Sequence, residues 1–227
     1  FETIRRTFGD PASCYAGGLR GDGSWAVDLP RALSLLSRSI DEQHPVFLLG
    51  TAFSFLELLD HLAGAGLSWQ LPPGSRVLET GGYKGRSRSL PRQALYALVH
   101  GHLGVSETAI VSEYGMCELS SQAYDRVIAG GPSTLASRVC AAHQAGSEPR
   151  VFRFPPWVRE RIVSPETGRE VAEGEAGLLV IYDLANVSSV LAVQTEDLVI
   201  RRGNGFELIG RTPAAEPRGC SLQVANA

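Results

Sequence analysis

The first half of the chain alternates between two apolar spacings. From Pro30 to Gln43, Leu33, Leu36 and Ile40 recur at helical spacing, and Pro30 suits a first helical turn, where its missing N–H costs nothing. Val46–Gly50 is a short apolar run behind Pro45 and predicts a buried strand. Phe53–Ala63 returns to helical period, with Phe55, Leu58, Leu59 and Leu62 on one face. Leu71-Pro72-Pro73-Gly74 predicts a turn, and Arg76–Glu79 a brief strand running into Gly81-Gly82. Pro91–Leu103 reads as a helix, Thr108–Val111 as a strand, and a further helix is predicted from Cys117. Helix and strand in alternation predict an α/β fold, a parallel or mixed sheet flanked by helices.

The second half changes character. Val151–Phe154, Val158–Val163, Leu178–Tyr182, Ser189–Val193, Leu198–Arg202 and Phe206–Ile209 all read as strands. Turn signals separate them: Pro165-Glu166-Thr167-Gly168, Glu173-Gly174-Glu175, and the hairpin signal Gly203-Asn204-Gly205. The expected organisation is an α/β lobe over 1–148, a small antiparallel β lobe over 149–212, and a hinge or tail over 213–227. The boundary is expected in Ala145-Gly146-Ser147-Glu148-Pro149.

Composition narrows the partners. Of 227 residues, 44% are hydrophobic and 20% charged, the balance of a globular protein. A net charge of -3 gives no electrostatic case for nucleic acid or an anionic membrane. The longest apolar stretch, Val46–Leu59, is interrupted by Glu57 and too short to span a bilayer. Cys14, Cys117, Cys140 and Cys220 show no metal-ligand spacing, so reduced thiols in a cytoplasmic protein are expected. His100 and His102 lack the partner set a metal site needs. The chain opens at Phe1 rather than methionine, which reads as processing or truncation.

Two glycine-bearing strand ends are candidate ligand sites, because backbone there can be approached closely. One is Glu79-Thr80-Gly81-Gly82-Tyr83-Lys84-Gly85; the other is Ser112-Glu113-Tyr114-Gly115-Met116-Cys117-Glu118. An aromatic beside glycines, Tyr83 or Tyr114, suits the flat face of an adenine. Glu118 suits a Mg²⁺ bridging phosphate oxygens, or plainly a solvated acid near a helix start. In Gln194-Thr195-Glu196-Asp197, between two expected strands, an acid suits the hydroxyls of a ribose or is an ordinary turn residue. Arg211 suits phosphate, or caps a surface. Lys84, Arg86, Arg88 and Arg92 form a basic cluster that is a solvated loop or a phosphate contact.

The order Gly81-Gly82-Tyr83, Tyr114-Gly115-x-x-Glu118, Thr195-Glu196-Asp197, Gly210-Arg211 resembles the adenylate-forming superfamily of acyl-CoA synthetases, luciferases and adenylation domains. Val163–Glu170 and Gly174–Leu179 resemble its β segment. A closer resemblance is to LuxE-type acyl-protein synthetases. Pro45–Phe53, Leu71–Ser87, Glu113–Asp125, Asp183–Asn186 and Gly210–Leu222 carry it, and together they reach over nearly the whole chain.

The resemblance implies the C-terminal part of a large adenylating domain, with ATP and Mg²⁺ as cofactors. Gly81, Gly82 and Tyr83 would line the adenine pocket, Tyr114 and Gly115 flank the nucleotide, and Glu118 bind Mg²⁺. Asp197 would hold the ribose and Arg211 sit at the hinge. Cys220 would accept the acyl group, with Arg218 helping to lower its pKa. Cys117 stands where the family usually has threonine, and a thiol bonds phosphate less well. The family's Ser/Thr/Gly-rich phosphate loop has no counterpart upstream, since Gly17–Gly23 lacks the hydroxyls; this leads to the expectation of an N-terminally truncated enzyme that does not adenylate alone. Phe53, Phe55 and Met116 are expected to wall the pocket and favour an apolar acid.

The implied function is ATP-dependent activation of a carboxylic, fatty acid as its acyl-adenylate, with transfer to a protein thiol. A reductase or acyl-carrier protein is an implied partner. The alternatives are a phenylacetate-type acyl-CoA ligase and, in a different class, a catalytically incompetent nucleotide-binding or assembly module.

Overall fold

The computed structural model describes residues 2–21, 25–83, 89–125 and 150–212. Packing divides them into two compact units, one running up to Ile110 and the other from Val111. The expected boundary segment, 145–149, lies outside the described residues, as do Lys84, Arg86, Arg88, Arg218 and Cys220.

The first unit is α/β. After α1 (Glu2–Phe8) come a short antiparallel hairpin, β1 (Gly17–Leu19) and β2 (Trp25–Val27), and helix α2 (Leu29–Asp41). Strand β3 (Phe47–Thr51), helix α3 (Ala52–Gly64) and strand β4 (Arg76–Thr80) make a β–α–β unit whose strands pair in parallel. Helix α4 (Arg92–Leu103) follows. Local chemistry sets the starts: the side chains of Asp28 and Thr51 cap α2 and α3 by accepting from the N–H of Arg31 and Ser54. Gly104 adopts the left-handed conformation that ends α4.

The helical faces read from the sequence form this unit's core. Leu36, Phe55, Leu58, Leu59, Leu62, Leu95 and Val99 are all buried in one cluster. Phe55, expected to wall a substrate pocket, is core instead: its ring lies against Gly50, where a Cβ would stand 3.2 Å from it. Glu57, which interrupts the apolar stretch, anchors the β1–β2 hairpin. It pairs with Arg20 at 2.7 Å and accepts the Val27 N–H at 3.1 Å. The described part of the glycine-rich segment is thus a hairpin strand resting on α3.

The second unit is mostly antiparallel. Strand β5 (Ile110–Tyr114) pairs with the two-residue β6 (Ala123–Tyr124). A four-stranded sheet in the order β10-β9-β8-β7 follows, from β7 (Val158–Val163), β8 (Ala176–Asp183), β9 (Ala192–Arg202) and β10 (Gly205–Arg211). Phe152 and Arg153 make single bridges to Phe206 and Tyr124, where a full strand was expected over Val151–Phe154. The inward alternation of β8, with Leu179, Ile181 and Asp183 buried, is the period-2 pattern of a half-buried strand.

The Gly203 hairpin forms where the sequence places it, with Gly205 opposite Arg202 and Gly203 at φ 58. Gly205 is required for space: a Cβ there would meet the Phe152 carbonyl oxygen at 2.3 Å.

Two expectations fail here. No helix begins at Cys117; the segment from Gly115 to Gln122 is an irregular connection with a turn at Cys117 and Glu118. Nor are Ser189–Val193 and Leu198–Arg202 separate strands, since β9 runs unbroken through Gln194–Asp197. That polar run contains no glycine or proline to end it. It widens into a bulge instead.

Candidate nucleotide site

The bulge in β9 builds the densest cluster of expected site residues. Between the pairs Leu178–Leu198 and Val180–Gln194, three residues of β9 stand opposite the single Leu179 of β8. Such an insertion twists a strand and re-aims its side chains. Thr195, itself buried, holds the bulge closed. Its hydroxyl donates to the Leu179 carbonyl at 2.9 Å and accepts the Asp197 N–H at 3.1 Å. Strand β10 carries its own irregularity between Leu208 and Gly210, after which Arg211 falls directly opposite Asp197.

Three expected residues therefore meet. The Tyr114 hydroxyl donates to Asp197 Oδ2 at 2.6 Å, and Arg211 Nε lies 3.3 Å from Asp197 Oδ1. Arg211 also donates to Glu196 at 3.0 Å. Each Asp197 oxygen thus has a donor, and a carboxylate with about four acceptor directions keeps room for two ligand hydroxyls.

Tyr114 is 8% exposed, packed edge-on against Phe152, Phe154 and Phe206. Burial first, and then the Asp197 charge, holds its pKa well above the ordinary tyrosine value. The neutral form is the one stabilised. Its contribution to folding is complete below the unfolded value of 10.0 and is lost as pH rises above it. Tyr114→Phe is expected to cost about 1 kcal/mol at neutral pH through the lost hydrogen bond. It should also reduce the steep alkaline loss of stability seen in the parent, measured by urea unfolding at about pH 8 and about pH 11.

The other expected residues take different places. Gly81 and Gly82 end β4 in the first unit and are exposed; Gly81 sits at φ 65, which is why glycine is found there. Tyr83 is half-buried against that unit's core. Gly115, Cys117 and Glu118 lie on the connection after β5, all exposed, and Met116 packs on the second unit's core rather than standing free. Cys117 is disulfide-bonded, whereas Cys14 is a free, exposed thiol; the expectation of reduced thiols throughout is corrected at Cys117.

The Glu118 carboxylate has no hydrogen-bond or ion-pair partner among the described residues, which contain no group of three metal-ligating side chains. A single free carboxylate fits Mg²⁺ of the kind that takes one protein ligand and completes its shell with phosphate and water. An open cleft of about 320 Å³ lined by Arg159, Arg161, Glu170 and Tyr182 contains none of the expected site residues.

Comparison with known proteins decides the family. The family model for the acyl-protein synthetase LuxE matches residues 21–227. The chain belongs to the LuxE family. It is similar to the long-chain-fatty-acid–luciferin-component ligase of Aliivibrio fischeri, 33% identical over 81 residues, which is 32% of this chain and 21% of that protein. The ligase of the same description from Vibrio harveyi is 30% identical over 80 residues, again 21% of its length. Each match thus spans about a fifth of the relative. Among solved structures, similarity extends to the adenylation domain of a keto acid-selecting NRPS module bound to keto acyl adenylate. That likeness is 17% identical with a TM-score of 0.49, over 81% of this chain and 38% of the other.

In this LuxE-family chain, reading the sequence missed the anchors of the Glu118 segment. Asp183 and Asn186 lie in a stretch that carried the resemblance without a role. Asp183 is 0% exposed, and among the described residues its carboxylate accepts four bonds from Ser120, Ser121 and Ala185. The signal was an acid at the inward-facing end of an apolar alternating strand, where a charge is unfavourable unless paired. Asp125 is a second such anchor: it accepts the Ser112 N–H at 2.8 Å, pairs with Arg150, and so locks the β5–β6 hairpin. No described helix is long and apolar enough to cross a membrane.

Proposed function

We propose that this chain forms the nucleotide-binding part of an enzyme that activates a carboxylic acid with ATP and passes the acyl group to a protein thiol. The observation that carries the proposal is the meeting of Tyr114, Asp197 and Arg211 at two strand irregularities, within a chain of the LuxE family. Asp197 is assigned to the ribose hydroxyls, with Tyr114 holding the carboxylate rather than stacking on the base. Arg211 neutralises part of the carboxylate charge and stands beside the nucleotide. Glu118 would hold Mg²⁺, whose role when bound is to neutralise phosphate charge. Gly81, Gly82 and Tyr83 are assigned to the adenine, with Gly115 and Cys117 beside the phosphates.

In this reading the substrate carboxylate attacks the α-phosphate of ATP, the phosphoanhydride bond breaks, and pyrophosphate leaves. A deprotonated thiol then attacks the acyl carbonyl, forming a thioester and releasing AMP. Catalysis is mainly positioning and charge stabilisation. Cys220 is the assigned acceptor, a fatty acid the assigned substrate class, and a reductase or acyl-carrier protein the assigned consumer. The cytoplasm, where ATP is available, is the assigned compartment.

The test is acid-dependent ATP–pyrophosphate exchange by the protein from its complete reading frame, across fatty and aromatic acids. Exchange with fatty acids, and covalent labelling by radioactive acid that disappears in Cys220→Ala while exchange persists, is the expected result. Nucleotide binding without exchange for any acid overturns the enzyme reading. Persistent labelling in Cys220→Ala overturns the acceptor, and thioester formation on added CoA redirects it.

A further inference from the structure

The segment carrying Glu118 has no regular secondary structure, yet its backbone is held at Glu118 and just after it. Asp183, at the end of β8, accepts the N–H groups of Ser120 and Ser121 at 3.0 and 2.9 Å through one oxygen. Its other oxygen accepts the Ser121 hydroxyl at 2.9 Å. Asn186 donates to the carbonyl of Glu118 itself at 2.7 Å, and by the same nitrogen to the Val190 carbonyl at 2.7 Å. Its oxygen accepts the Ser120 hydroxyl at 3.1 Å. The contacts to this segment reach from 62 to 68 residues along the chain and converge on three residues within four positions, Glu118, Ser120 and Ser121. The Glu118 side chain takes no part in them.

This division of labour is informative. Holding an irregular segment in one conformation costs about 1–2 kcal/mol of backbone entropy per residue. Burying a carboxylate is unfavourable without full hydrogen bonding. The fold meets both costs at Asp183, and in doing so leaves the Glu118 carboxylate exposed and without a partner among the described residues. A purely structural turn gains nothing from that arrangement. A metal-binding carboxylate does, because a preset backbone spares the ordering cost when the charged ligand arrives.

We infer that Asp183 and Asn186 are positioning residues for Glu118, setting its reach toward the magnesium–nucleotide through the backbone. The inference rests on the assignment of Glu118 to Mg²⁺. Asn186 is the more useful position to change, being half-exposed and at a chain turn, where loss of its side chain leaves the core intact.

The experiment measures pyrophosphate exchange against Mg²⁺ concentration for the protein from its complete reading frame, with thermal stability recorded alongside. Asn186→Ala is expected to raise the Mg²⁺ concentration for half-maximal exchange by about tenfold, as loss of an outer hydrogen-bond partner does at metal sites. KM for the acid should be unchanged, and saturating Mg²⁺ should restore most of the rate. Asn186→Asp keeps the acceptor toward Ser120 but loses both donated bonds, so it should behave as the alanine variant does. In a Glu118→Gln background, Asn186→Ala should have no further effect. Asp183→Asn should shift the Mg²⁺ response in the same direction with a larger loss of stability.

An unchanged Mg²⁺ response in Asn186→Ala, or a full additive loss in the Glu118→Gln background, overturns the positioning role while the Glu118 assignment stands. Unchanged exchange in Glu118→Gln alone overturns that assignment and the inference with it.

Discussion

Replacing Asp197 with alanine is expected to lower acid-dependent pyrophosphate exchange by about a hundredfold or more. Hydrogen bonds to a charged group are worth about 1.5–3 kcal/mol each, and the proposed assignment puts two ribose hydroxyls on Asp197. At about 1.4 kcal/mol per decade, that removes two or more orders of magnitude. The substitution also strips the buried Tyr114 hydroxyl of its 2.6 Å acceptor, so some stability is lost as well. Two comparisons separate the effects. Asp197→Asn keeps an acceptor for Tyr114 and should recover most of the stability but little of the activity. Deoxy-ATP analogues, tested in parallel, should bind the parent more weakly than ATP and the alanine variant equally. A variant that still discriminates against the deoxy nucleotide places the ribose elsewhere.

The second large effect is expected at Glu118. Glu118→Gln keeps the side chain's shape and removes the charge that would hold Mg²⁺. A drop in kcat of about 100- to 1,000-fold is expected, the usual scale for losing one group that stabilises transition-state charge. The KM for Mg²⁺ should rise with it. Stability should not change, because the exposed carboxylate has no partner among the described residues. A variant with the parent's rate and Mg²⁺ response removes Glu118 from the metal site. Thermal unfolding distinguishes this outcome from misfolding, since a folding defect lowers Tm and an electrostatic one does not.

The two positions differ in what holds them. Asp197 is fixed by side chains from three directions, so its replacement disturbs packing and chemistry together. Among the described residues Glu118 is held through its backbone alone, so its chemistry separates from stability.

Membership of the LuxE family also sharpens the reading of Tyr114. An aromatic beside a glycine at a strand end suggests a face for the adenine. Tyr114 instead sits within an aromatic cluster with Phe206 at 5.3 Å, and its hydroxyl serves Asp197. The motif is in place, but this residue's first task is to hold the acid that would meet the sugar.

The sequence alone determined the elements whose periods are local. Helices α2, α3 and α4, the strands flanking α3, and the Gly203 hairpin follow from side chains within a turn or two of one another. The ordered motifs that signal the family were equally legible, because each is a short run. Only the tertiary structure decided what those motifs touch. Tyr114 meets Asp197 across 83 residues, and Asp183 reaches Ser120 across 63. The polar run Gln194–Asp197 reads as a break between strands, and local pattern carries no sign that Thr195 can close a bulge by bonding across to Leu179. The helix expected after Tyr114-Gly115 fails for the same reason: its amides find a better acceptor in a buried carboxylate from the far end of β8. Periodicity reports which face of an element is buried. It does not report which distant group will satisfy a backbone left unpaired, and in this protein that choice sets the geometry around Asp197 and Glu118.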